Sequence, residues 1–159
     1  MLHAYKRLEH IHETAGDRVT MDYDTRQKAR IKMITDKGKE LGIFLQRGHP
    51  LQIGEILVTE CGTLIEIVGA NEPVITASTD DWLAFSQVCY HLGNRHTKVQ
   101  IGERWLRFKV DHVLQELAEN YGLLVDAKPA VFEPESGAYG KGDTHCHDGD
   151  RKHVHEHAN

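Results

Sequence analysis

Between Arg18 and Val68 apolar and polar positions alternate with a period of two. Val19, Met21 and Tyr23 form one alternating set, Ile31 and Met33 a second, and Leu41, Ile43 and Leu45 a third. Successive side chains of a strand point to opposite faces, so this pattern predicts strands with one buried face. Turn residues punctuate it at Asp36-Lys37-Gly38, Arg47-Gly48-His49-Pro50 and Cys61-Gly62, and Leu64 to Val68 closes the series. Residues 1–70 are therefore expected to form an all-β domain.

Gly69-Ala70-Asn71-Glu72-Pro73 breaks the alternation and reads as a linker. Beyond it Val74 to Ala77 predicts a short strand, and Asp80 or Asp81 can cap a helix by accepting from its free N–H groups. Trp82, Phe85, Cys89 and Leu92 recur at helical spacing, with Gly93 placed to end the helix in the left-handed conformation. Val99 to Ile101 and Trp105 to Val110 predict a hairpin around Gly102-Glu103. Asp111 is the expected cap of a second helix, with Val113, Leu114, Leu117 and Tyr121 as its apolar stripe and Gly122 as its stop. Leu123 to Ala127 returns as a strand. The resulting order β-α-β-β-α-β over residues 71–139 is ferredoxin-like. Beyond Tyr139 the composition shifts to Gly, Asp, His and Lys, which cannot bury a core, so residues 140–159 are expected to be a disordered tail. The expected fold class is α+β: an all-β domain, a ferredoxin-like domain and a histidine-rich tail.

Composition narrows the functional classes. No apolar run approaches the ~20 residues that a membrane-spanning helix needs. Met1 to Ile11 carry charges and histidines where a signal peptide needs an apolar stretch, so a cytoplasmic protein is expected. Three cysteines, Cys61, Cys89 and Cys146, do not make a disulfide framework. The formal net charge of -5, with no run of Lys and Arg, argues against nucleic acid as a partner.

Histidine is over-represented: there are 12, and five of them lie in the last fifteen residues. The tail reads His145-Cys146-His147 and then His153-Val154-His155-Glu156-His157. Imidazole and thiolate are ligands of late first-row metals, and a His-x-His pair can place two nitrogens on one ion. An expression tag and a plain solvated tail are the alternatives. The interleaved Cys, Asp, Val and Glu speak against the tag.

Elsewhere the histidines are less telling. His96 follows the first helix in Leu92-Gly93-Asn94-Arg95-His96, where Gly93 and Asn94 both tolerate positive φ and let it project. From spacing alone it is only a helix terminus, where a lone histidine is usually structural. Asp111-His112 reads as an N-cap and first-turn residue, and His91 as a favourable charge near a helix C-terminus. His10-Ile11-His12 could take a metal adventitiously. Cys61 and Cys89 are expected to be small core residues. His-Glu-x-x-His, Walker, Gly-x-Ser-x-Gly and Cys-x-x-Cys signatures are absent from the sequence, so no enzyme is expected.

Tyr90-His91-Leu92-Gly93-Asn94-Arg95-His96, Asp111-His112-Val113-Leu114 and Phe132-Glu133-Pro134-Glu135-Ser136-Gly137-Ala138-Tyr139, in this order and spacing, resemble the urease accessory protein UreE family over essentially the whole chain. The resemblance implies a nickel metallochaperone that works as a homodimer joined through its second domain. Its expected partners are a urease accessory GTPase and the urease apoprotein complex, with the β-rich domain as a possible docking unit. It also implies His96 as the interfacial Ni²⁺ ligand, with Asn94 and Arg95 shaping its loop, and His112 as a peripheral metal position. Lys98 stands where many relatives have proline, and Val110 where certain relatives have a second histidine. Zn²⁺ or Cu²⁺ could bind the same donors. A metal store without a delivery role is the alternative function.

Overall fold

The computed structural model describes residues 1–8, 14–48 and 50–136. Six strands form the N-terminal sheet: β1 (Leu2–Leu8), β2 (Asp17–Met21), β3 (Arg30–Ile34), β4 (Glu40–Phe44), β5 (Ile56–Thr59) and β6 (Leu64–Gly69), in the order β2-β6-β5-β1-β4-β3. Val19, Met21, Leu41 and Ile43, foreseen from alternation, are buried and pack with Ala4, Leu51, Leu57, Ile65 and Ile67 into one core. The sheet curls until its two ends meet. Asp36 N donates to Arg18 O at 2.8 Å, and the Thr20 hydroxyl donates to the Asp36 carboxylate at 3.1 Å. This gives a barrel-like unit. Strand β1 lies between β5 and β4, and a register shift between Ala4 and Lys6 interrupts its period, so alternation did not reveal it.

Tyr23, placed in a strand by alternation, instead opens a short helix, α1 (Tyr23–Arg26). The Asp22 carboxylate accepts from Thr25 N at 2.8 Å and turns the chain out of β2. Gly69 to Pro73 is not a bare linker either. Strand β6 runs through Gly69, and β7 (Asn71–Glu72) pairs with β12 (Ala130–Val131). A Cβ at Gly69 would come within 2.5 Å of both Ile53 Cδ1 and Val131 Cγ1, so glycine is what lets the two halves approach here.

The second half has the order β8 (Val74–Ser78), α2 (Trp82–Asn94), β9 (Gln100–Gly102), β10 (Trp105–Lys109), α3 (His112–Asn120), β11 (Leu124–Asp126). Its antiparallel sheet runs β11-β8-β10-β9, the ferredoxin-like arrangement. The helices bury Ala84, Phe85, Val88, Leu92, Leu114 and Ala118 against Ile75, Ala77, Leu106 and Phe108. Asp81 caps α2 and Asp111 caps α3, each accepting from two main-chain N–H groups. Gly122, at φ 83°, ends α3 as expected. Trp82, assigned to the apolar stripe of α2, is instead 57% exposed: it is the first helical residue and its ring packs edge-on to Phe85.

Helix α1 joins the two halves. Tyr23 N donates to the Glu72 carboxylate at 2.7 Å, and its ring meets Phe132 edge-on at 5.4 Å. Lys109 pairs with Asp24 and lies 3.7 Å from Glu72. The buried Arg26 donates to Phe132 O at 2.6 Å. Among the described residues no helix is long and apolar enough to cross a membrane.

Candidate metal centre

Helix α2 delivers His96. Asp81 starts it, with Oδ1 accepting from Leu83 N at 2.8 Å and Ala84 N at 3.3 Å. Burial of Phe85, Val88 and Leu92 fixes its roll on the sheet. The helix ends differently from the sequence expectation. Gly93 stays helical, and the left-handed conformation falls three residues later on His96 itself, at φ 53°. His96 N donates to Gly93 O at 3.0 Å and Thr97 N to Leu92 O at 3.3 Å, which closes the last turn and reverses the chain. A side chain on a left-handed residue costs about 1–2 kcal/mol. Such backbone strain is held where the surrounding structure over-determines it, and it concentrates at functional sites.

The His96 side chain is exposed, and among the described residues no hydrogen bond or ion pair engages its ring. It lines a shallow concavity of about 360 Å³ together with Cys89, Lys98, Val99, Ile101 and Glu135. Glu135 arrives from the far end of the chain. The segment 130–136 is held in place by Arg107, which donates to Val131 O at 2.6 Å, by Arg26 on Phe132 O, by Glu133 N donating to Gln100 Oε1 at 3.1 Å, and by Glu135 N donating to Val99 O at 2.9 Å. The chain therefore leaves the described region at Ser136, directly beside the His96 loop. Sequence reasoning did not select Glu135. Its place inside the Phe132–Tyr139 motif, just before the histidine-rich stretch, was the available signal.

His112 opens α3 and is exposed, following Asp111, whose carboxylate accepts from Val113 N at 2.9 Å and Leu114 N at 3.2 Å. It does not line the concavity of His96, and its neighbour Val110 is exposed. His91 does more than face a helix end: its Nε2 lies 2.8 Å from the Tyr121 hydroxyl and so ties α2 to α3. Of the core cysteines expected, Cys89 is half-buried, and burial pushes its thiol up. Cys61 is a correction. It is exposed on the β5–β6 turn, where the hydroxyls of Thr59 and Thr63, each 3.3 Å from Sγ, lower its pKa to about 7. Short hairpin loops face solvent, and the adjacent Gly62 at φ 79° marks this one.

His145, Cys146, His147, His153, His155 and His157 lie outside the described residues, as do His10 and His12. Among the described residues no three His, Cys, Asp or Glu side chains come together closely enough to hold a metal ion. His96 and Glu135 thus line one surface concavity, and no cluster of three such side chains surrounds them among the described residues.

A barrel-like β unit joined to a ferredoxin-like unit, with an exposed imidazole at the end of the second unit's first helix, defines a two-domain protein whose candidate site is open to solvent. Residues 1–70 match the N-terminal domain of the UreE urease accessory protein, and residues 72–158 match its C-terminal domain. The chain is 67% identical over 141 residues to the urease accessory protein UreE of Alteromonas mediterranea, covering 89% of this chain and 92% of that one. It is 62% identical over 151 residues to the protein of the same name from Psychromonas ingrahamii, covering 93% and 99%. With that of a Marinomonas species it shares 50% over 146 residues, covering 91% and 99%. The chain belongs to the UreE urease accessory protein family, whose members are nickel-delivery chaperones of urease maturation and not enzymes.

Proposed function

We propose that two copies of this chain carry Ni²⁺ between their His96 side chains, completed by donors from residues 137–159, and release it during assembly of the urease active site. The observation that carries this reading is the anchoring of Glu133 to Ser136 beside the His96 loop. His145 lies ten positions after Glu135, a span of about 33 Å at full extension, so His145, Cys146 and His147 are within covalent reach of the concavity. His153, His155 and His157 follow.

The donors suit the ion. Imidazole nitrogen binds Ni²⁺, and the Glu135 carboxylate offers an oxygen. Nickel takes more ligands than one protomer's described residues bring together, and a two-fold axis supplies a second copy of each without further sequence. Tyr90 at 65% and Leu83 at 67% exposure, seven residues apart on α2, together with the exposed Ile101 in the concavity, give that axis an apolar surface to bury. Ligands drawn from two subunits and a chain terminus dissociate stepwise, which serves delivery better than a closed structural site. The same donors accept Zn²⁺ or Cu²⁺, so selectivity comes from supply and from partners. His112 would be a secondary position, with Val110 in place of a second imidazole. The working context is the cytoplasm, with a urease accessory GTPase and the urease apoprotein complex as partners.

Calorimetric titration of Ni²⁺ into the full chain and into His96→Ala, with sedimentation to fix the oligomeric state, tests the assignment. One tight ion per dimer is expected, lost in a variant that remains dimeric. Undiminished tight binding by a dimeric His96→Ala removes His96 from the site.

A further inference from the structure

Between His96 and the segment that brings Glu135 stands a cation to which the nickel reading gives no role. Lys98 follows His96 by two residues, and the main chain on both sides of it is fixed. Thr97 N donates to Leu92 O at 3.3 Å, and the carbonyl of the buried Val99 accepts from Glu135 N at 2.9 Å. Lys98 is thereby pinned where it lines the same concavity as His96 and Glu135. It also lines a larger cleft of about 650 Å³, where Glu133, Pro134 and Ser136 form part of the wall. Residues 133–136 thus separate two hollows, and Lys98 borders both.

The neighbouring charges leave its ammonium uncompensated. Glu133 faces Arg26 at 3.9 Å, and the buried Glu55 faces Arg7 at 3.6 Å. Lys98 itself is exposed, and among the described residues no carboxylate, Glu135 included, lies within ion-pair distance of it. Arg95 is exposed as well but does not line the concavity. One protomer therefore brings an imidazole, a carboxylate and an ammonium to the same hollow. The ammonium offsets the carboxylate before any cation arrives. The affinity of a cation site is set largely by the count of anionic ligands around it, and a site built for retention would leave such a group out.

We propose that Lys98 is a positioning residue that keeps the bound ion labile, its positive charge weakening the hold of His96 and Glu135 on Ni²⁺ and hastening release. An ion shared across a two-fold axis meets two copies of each group, so the repulsion is doubled. For a divalent ion and two ammonium groups about 8 Å away, the scale of such a hollow, repulsion in a mostly aqueous and salt-screened setting amounts to roughly a threefold to tenfold loss of affinity. The base of the side chain is fixed by the backbone and the head is free, so the charge stays near the ion without becoming a ligand: at neutral pH an ammonium has donors and no lone pair. This inference rests on the nickel reading and concerns the same site.

Calorimetric titration of Ni²⁺ and stopped-flow transfer of Ni²⁺ to a chromophoric chelator test it on the full chain and on Lys98→Met, Lys98→Arg and His96→Ala. Lys98→Met is expected to hold the His96-dependent ion about threefold to tenfold more tightly and to release it more slowly. Lys98→Arg keeps the charge and is expected to match the parent chain. The difference between Lys98→Met and the parent should shrink as sodium chloride is raised. Unchanged or weaker binding in Lys98→Met, equal tightening in Lys98→Arg, or a gain that sodium chloride leaves intact overturns the role of Lys98 while the His96 site stands. Undiminished tight binding by a dimeric His96→Ala removes the site itself, and the role of Lys98 with it.

Discussion

The guanidinium of Arg26 donates to the main-chain carbonyl of Phe132 at 2.6 Å, joining residues 106 positions apart in sequence. Arg26 is 3% exposed, and its Nη1 lies 3.9 Å from the Glu133 carboxylate. Through this contact the N-terminal unit holds the strap that leads the chain past His96.

Arg26→Met keeps the volume and removes the donor, leaving the Phe132 carbonyl unpaired in a buried position. Such a loss costs about 1–3 kcal/mol. A lowered denaturation midpoint is expected, together with faster amide exchange at Glu133 and Glu135, whose N–H bonds fasten the same strap. Unchanged exchange there would mean that the C-terminal unit holds the strap alone.

Substitution of His96 by glycine separates stability from function. Glycine accepts φ 53° without strain, so His96→Gly is expected to melt no lower than the parent chain and to gain up to about 1 kcal/mol. Tight Ni²⁺ binding should disappear in the same variant. A marked fall in melting temperature would show that the imidazole supports the fold.

Removal of residues 141–159 distinguishes delivery from storage. The truncated chain is expected to bind fewer Ni²⁺ ions in total and to keep one ion per dimer that still depends on His96 but is held more weakly. Loss of nearly all bound nickel, with no residual His96-dependent site, would favour the storage reading. Urease activation assays with both forms give the functional counterpart.

Cys61 should be the more reactive of the two described thiols. With its pKa lowered to about 7, roughly half is thiolate at pH 7, against roughly one part in a hundred at the ordinary value of 9.0. Carboxymethylation followed by mass spectrometry should show Cys61 modified in a rise centred near pH 7, with Cys89 far slower because burial favours its neutral thiol. Thr59→Val combined with Thr63→Val removes the donors and should move the rise to higher pH. An unmoved profile would assign the shift to something other than these hydroxyls.

Short-range physics made much of this molecule legible in its residues. Period-two alternation found β2, β3, β4 and β6, because each strand buries one face. An aspartate at 80 or 81 and another at 111 announced both helices of the second unit, and Gly122 the end of the second. The three motifs around His96, Asp111 and Phe132 were sufficient to indicate the family. What escaped was set by partners distant in sequence. Strand β1 depends on β4 and β5 for its place, and β7 on a strand some sixty residues later, so neither had a local signal.

The same division runs through the metal centre. His96 and the histidine-rich stretch could be named from composition and motif. Only the folded chain showed that His96 itself, and not Gly93, takes the left-handed turn, and that Glu135 lies beside it. The first depends on where the buried face of the helix ends, at Leu92, the second on hydrogen bonds that Arg26 and Arg107 donate to one late segment and that Gln100 and Val99 accept from it. A sequence records donors and periodicities, which are properties of neighbours along the chain. Convergence of residues 96 and 135 is a property of packing between elements, and it exists only once two sheets and two helices have closed around their cores.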